Sequence, residues 1–221
     1  MKTNPNLEKL EDKSFLLKAT ISQDKIKAAR QQALVKIQST FKTEGFRPGK
    51  APIEVVEQKV NPQTLLEKVI QTVLTENYAD EIKKNDLHPI IDPEVKITTS
   101  PLDYDHNWEV EYRSCELPEV KIDAVAFEEI KKLDGERKID QIFDLLIKHA
   151  VILLPERLKE QEKDWKINLI IDKIAADQKL EVTTEEIRKT LEVNPQLAQN
   201  INLTFYLMRQ QKVLDYLKNL K

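Results

Sequence analysis

The sequence predicts an α+β domain, an antiparallel sheet with long helices, followed by an all-α helical domain. Three observations carry this reading. Apolar and polar residues alternate with period two only in the first half of the chain, around residues 15–21 and 108–112. Elsewhere apolar residues recur at helical spacing over long stretches. The chain also has only three glycines. So few glycines leave little room for tight turns, and long helices fit that shortage best.

The elements follow in order. Phe15, Leu17, Ala19 and Ile21 alternate with Leu16, Lys18 and Thr20, which predicts a strand. Ser22 is placed to cap a helix over residues 23–42, with Ile26, Ala29, Ala33, Leu34, Ile37 and Phe41 on its apolar side. The stretch GFRPGKAP interrupts it with two glycines and two prolines, so it is a loop. Pro52 opens a short helix over IEVVEQK. Asn61 and Pro62 restart the pattern as cap and first helical residue. A wide stripe of Leu65, Leu66, Val69, Ile70, Val73, Leu74 and Tyr78 then predicts a helix to Lys84. A strand follows from Val95, and a second from the alternation of Trp108, Val110 and Tyr112 with Glu109, Glu111 and Arg113. Strand, helix, loop, helix, strand and strand make an α+β unit with helices on one face of the sheet.

From Phe127 onward no strand is expected. Ile139, Ile142, Phe143, Leu146, Ile147, Ala150 and Val151 share one helical face, and Pro155 ends that helix and starts the next. Thr183 and Glu186 have the spacing of a capping box. Pro195 and Asn200 bound a last helix. The expected domains are residues 1–130 and residues 131–221.

Charge is unevenly placed. Residues 1–60 hold 12 Lys and Arg against 7 Asp and Glu, whereas the remainder holds 23 against 31. The basic first part favours an anionic partner. No run of about twenty apolar residues is present to span a membrane. The first residues lack the apolar core of a signal peptide, and the single Cys115 has no partner for an internal disulfide, so a cytoplasmic setting is expected. GFRPGK lacks the spacing of a phosphate-binding loop, because Lys50 is followed by Ala51. His88, His106 and His149 share no ligand spacing with Cys115. No catalytic residue, metal or cofactor is expected.

The loop invites a physical reading. Gly45 and Gly49 permit backbone shapes that other residues resist, and Pro48 and Pro52 stiffen the chain between them. Phe46, Arg47 and Lys50 would then project together. An aromatic ring flanked by two cations suits an acidic, partly apolar groove.

GFRPGKAP closely resembles the ribosome-binding signature of trigger factors. Its surroundings resemble that family too: a strand and long helix before it, then VEQ and a second long helix, then WEVEYRSCELPEV as the closing strand. This resemblance covers about residues 7–130. It resumes at VILLPERLKEQE, LIIDKIAADQKLEVTTEEI and QKVLDYLKN, which are similar to parts of the family's C-terminal helical domain. The prolyl isomerase domain usual between these blocks, of the FKBP type, has no counterpart. Only residues 130–137 join the two, and the helical domain is short. Pro48 departs from members that carry a third basic residue there.

The resemblance implies a ribosome-associated, ATP-independent chaperone that docks at the polypeptide exit of the large subunit, on a ribosomal protein at the tunnel rim. Gly45, Phe46, Arg47, Pro48, Gly49 and Lys50 would make that contact. Nascent and unfolded polypeptides would be its clients, no membrane is involved, and a homodimer is compatible with the sequence. Client-contact candidates in the helical part are Phe143, Ile147, Val151, Leu154, Trp165, Phe205, Tyr206 and Met208, although for each of them helix-packing core is the commoner role of such a residue. Two other functions compete. Prolyl isomerisation lacks its domain. An RNA-binding or ribosome-assembly module would use the basic first part, but the strands carry no paired exposed aromatics in a basic setting.

Overall fold

The structure, a computed structural model, describes residues 4–133 and 138–220. The chain divides into two compact units between Leu117 and Pro118.

In the first unit β1 (Leu7–Lys9), β2 (Ser14–Ile21), β3 (Glu94–Ile97) and β4 (Trp108–Cys115) form one antiparallel sheet in the order β1-β2-β4-β3. The register pairs Leu17 with Tyr112 and Ile21 with Trp108, so Phe15, Leu17, Ala19 and Ile21 share a face with Trp108, Val110 and Tyr112. That face is buried. It packs with α1 (Gln23–Gln38), α2 (Ile53–Lys59) and α3 (Pro62–Lys84), whose Ile26, Leu34, Val56, Val69 and Val73 complete one core. Its two largest buried side chains are partnered: the Tyr112 hydroxyl donates to Asn77 Oδ1 at 2.9 Å, and Trp108 Nε1 donates to the Asp103 carbonyl at 2.7 Å. Burial pushes the Tyr112 hydroxyl well above the usual phenol range.

The caps fall where the sequence places them. Ser22 accepts from the Lys25 N–H, and Asn61 accepts from Gln63 at 2.8 Å ahead of Pro62. Helix α1 is shorter than its apolar pattern. The Ser39 and Thr40 hydroxyls donate back to the carbonyls of Lys36 and Ile37 and draw the last turn out of the helix. Strand β1 has no sequence expectation. Three residues without alternation give no period, and pairing with β2 decides their state.

The second unit departs from the all-α expectation. Here β5 (Val120–Ile122) pairs antiparallel with β6 (Ala150–Ile152). The helix expected to run as far as Pro155 is α5 (Ile139–Lys148) and stops before His149, whose carbonyl accepts from the Asp123 N–H at 3.0 Å. That tertiary bond overrides a periodicity that continues through Ala150 and Val151. It also draws residues 120–122 into the second unit, so the division lies at 117/118 rather than 130/131. Helix α4 (Ala124–Lys131), capped by Asp123, lies between β5 and α5.

A 3-10 turn (Glu156–Gln161) then leads into α6 (Glu162–Asp177). It is followed by α7 (Thr184–Val193), a second 3-10 turn (Pro195–Asn200) and α8 (Ile201–Lys218). Ile142, Leu146, Ile170, Ile174, Val213 and Leu217 are buried here. The capping box forms, and Glu186 also accepts from Lys212 of α8. The Lys212 hydrogen bond, then those from Thr183, hold the Glu186 carboxyl down to about 2.

Two helices end on left-handed residues that are not glycine. Asp86 (φ 51°) follows α3 and Lys179 (φ 54°) follows α6. In each case the next N–H reaches back to the helix, Leu87 to Ile82 at 3.0 Å and Leu180 to Ala175 at 2.8 Å. A side chain in this conformation costs about 1–2 kcal/mol, and glycine's extra unfolded-state freedom returns part of that. Lys179→Gly and Asp86→Gly are therefore each expected to stabilise by about 0.5–1 kcal/mol in urea unfolding. A loss of stability on both substitutions would contradict this account.

Candidate ribosome-docking loop

The loop between α1 and α2 is built from two consecutive turns. The Phe46 N–H donates to the Thr43 carbonyl at 3.4 Å, and the Lys50 N–H donates to the Arg47 carbonyl at 3.0 Å. Each turn has glycine at its third position with positive φ, Gly45 at 82° and Gly49 at 75°. That is the type II pattern, and Pro48 presets the second residue of the second turn.

The base of the loop is pinned from several sides. The Gly49 N–H donates to the Phe41 carbonyl at 3.1 Å across the loop. Gln38 Nε2 donates to the carbonyl of the buried Ala51 at 2.7 Å, and Lys59 Nζ donates to Thr43 Oγ1 at 2.8 Å. Helices α1 and α2 thus both hold it.

The tip points the other way. Phe46 is 43% exposed, and Arg47, Pro48 and Lys50 are exposed beside it. Neither Arg47 nor Lys50 forms an ion pair among the described residues. By contrast, Lys25, Lys27 and Arg30 of α1 are matched by Asp80, Asp105 and Glu57. The six loop residues singled out in the sequence therefore come together at one place: an aromatic ring and two unmatched cations on a fixed backbone.

The two glycines differ in what they protect. A Cβ on Gly45 would meet nothing within 4 Å, whereas one on Gly49 would stand 2.6 Å from the Ser39 carbonyl oxygen. Gly45→Ala is expected to cost about 1 kcal/mol, for the dihedral alone. Gly49→Ala adds a collision with backbone and is expected to cost more and to displace the tip. Thermal unfolding of the two variants checks the order, and equal costs would refute it.

Residues 3–144, which contain this loop and the sheet and helices that hold it, match the family model for the bacterial trigger factor protein. The chain belongs to the trigger factor family. Trigger factors of Staphylococcus aureus, strains JH9 and Newman among them, are 30% identical to it over 155 residues. Those residues are 70% of this chain and 35% of the relatives, so the chain spans about a third of the length of the curated trigger factors it matches. A solved structure concerned with promiscuous substrate recognition in folding and assembly by the trigger factor chaperone is 22% identical, with a TM-score of 0.42. It covers 64% of this chain and 34% of that one.

The family-model match ends at residue 144, and most client-contact candidates lie beyond it. The structure separates them. Phe143 and Leu154 are buried in the second unit's core and present no surface to a client. Ile147, Trp165, Phe205, Tyr206 and Met208 are half-buried. Two of these are engaged internally: the Arg209 guanidinium stacks over the Phe205 ring at 4.5 Å, and the Tyr206 hydroxyl bonds Asn168. Val151 is 71% exposed.

Leu153, Leu203 and Leu207, which are not among those candidates, are exposed apolar residues. Leu203 and Leu207 continue, one turn after another, the stripe whose Leu214 and Leu217 are buried. An apolar stripe longer than the core available to it is the signal that marks them. No helix among the described residues is long and apolar enough to cross a membrane, and those residues hold no group of His, Cys, Asp and Glu that could bind a metal ion.

Proposed function

We propose that this trigger factor family chain docks at the polypeptide exit of the large ribosomal subunit and holds nascent or unfolded polypeptides there without ATP. In this reading the first unit, up to Leu117, supplies docking, through Gly45, Phe46, Arg47, Pro48, Gly49 and Lys50, and the second unit, from Pro118, supplies the holding surface. The working place is the cytoplasm, and the docking partner is a ribosomal protein at the tunnel rim. The observation that carries the reading is the loop. Phe46, Arg47 and Lys50 are offered outward on a backbone fixed by two glycine turns, with no ion-pair partner for either cation among the described residues. Such a tip contributes little to the fold that presents it, which is the mark of a residue set kept for contact.

Holding needs only apolar area interrupted by polar groups, and the second unit exposes Val151, Leu153, Leu203 and Leu207. Each client contact would be weak. Attachment beside the exit raises the local client concentration towards about the millimolar range and offsets that weakness. The reading includes no prolyl isomerisation. Stoichiometric amounts of the chain are expected to suppress aggregation of a diluted unfolded protein without nucleotide, and substoichiometric amounts to leave a proline-limited refolding reaction unaccelerated. Catalytic acceleration of that reaction, or aggregation unchanged at an equimolar ratio, would contradict the proposal.

A further inference from the structure

The open strand edges of this chain are not alike. In the first unit the edge strands are β1 and β3. Glu8 and Lys9 lie on one, Glu94 and Lys96 on the other. Charges on an edge discourage another strand from joining it. Strand β6 has no such protection. It reads Ala-Val-Ile and runs on into Leu153 and Leu154.

Its hydrogen-bonding groups can be placed from the register. The Asp123 N–H donates to the His149 carbonyl, which makes 123 and 149 a bonded pair. Antiparallel alternation then makes Lys121 and Val151 the next bonded pair and leaves Val120 and Ile152 a non-bonded one. The main-chain N–H and C=O of Ile152 therefore point away from β5. Among the described residues no hydrogen bond takes them up. Val151 and Leu153, two residues apart on the same face, are 71% and 55% exposed.

We infer that the outer edge of β6 binds an extended polypeptide segment as an added third strand. A main-chain donor and acceptor set side by side on an extended strand are best satisfied together by another extended main chain. Side chains at alternate positions of that segment would lie on Val151 and Leu153, which favours apolar and β-branched residues there. The inference rests on the reading that the chain holds unfolded polypeptides. It names what such a client offers: unpaired backbone in extended form, present in every unfolded chain whatever its sequence. A second copy of this chain is a poorer occupant. A stable interface between copies needs about 1,000 Å² or more, and two three-residue strands laid edge to edge bury far less.

The test uses the full chain and a short fluorescent peptide alternating threonine and valine, followed by anisotropy. The same peptide N-methylated at every amide keeps the side chains and loses the donors. It is expected to bind at least about tenfold more weakly. Leu153→Lys, at an exposed position, is expected to weaken the unmethylated peptide similarly while leaving circular dichroism unchanged. Equal binding of the two peptides would overturn strand addition and leave only an apolar patch. No peptide binding, with a dimer in sedimentation that Leu153→Lys abolishes, would give the edge to a second copy and overturn it as well. Aggregation suppression in the same preparations judges the holding function separately. If suppression persists while the two peptides bind alike, holding stands and strand addition falls.

Discussion

Replacing Phe46, Arg47 and Lys50 together with alanine is expected to weaken binding to ribosomes at least about tenfold, which is about 1.4 kcal/mol. The argument is local. The three side chains occupy the tip of a loop whose geometry is set elsewhere, by Gly45, Pro48, Gly49 and the bonds to Phe41, Gln38 and Lys59. Removing them should leave the backbone, the sheet and the unfolding temperature as they were. Co-sedimentation with purified ribosomes at fixed salt reads the loss, and a thermal melt reads the intact fold. Co-sedimentation unchanged in a folded triple variant would remove the loop from the docking mechanism. A single Arg47→Lys variant refines the result. It keeps the charge but loses the planar fork, so a large loss there would point to paired contacts rather than simple attraction.

A substitution in the sheet is expected to act on stability alone. Trp108 is completely buried, sits opposite Ile21, and gives its indole N–H to the Asp103 carbonyl at 2.7 Å. Trp108→Ala would open a cavity between the sheet and its helices and leave that carbonyl without its donor. The expected cost is about 3–5 kcal/mol in urea unfolding. A loss below about 1 kcal/mol would mean that the first unit's core is not organised around this ring.

The parts of the fold legible in the sequence are those whose signal is local. Alternation at Trp108, Val110 and Tyr112 gives β4, and Asn61 with Pro62 marks the first turn of α3. Two glycines and a proline in six residues mark the loop, and even its projecting residues follow from turn chemistry. What escapes is decided at a distance. Strands β1, β5 and β6 are three residues each and exist because a partner strand lies beside them. Ala150 and Val151 fit a helix by period, and the Asp123 amide takes them out of it. For the same reason Phe143 and Leu154 read as a possible client surface. Apolar character tells that a residue avoids water, not whether core or partner covers it.

The hydrogen bond from Gly49 to Phe41 has a consequence for how fast the loop can work. It closes the loop before any partner arrives, so capture needs no search among backbone conformations. Encounter should then be limited by diffusion and orientation, with the Arg47 and Lys50 charges steering the approach. Added salt would lower the on-rate as the screening length shortens below about 10 Å, and would change the off-rate much less. In the proposed docking role, rapid capture before an emerging chain misfolds matters more than long residence. A stiff, charged tip on a folded base supplies rapid capture and leaves the lifetime of the complex to be set by contacts made afterwards.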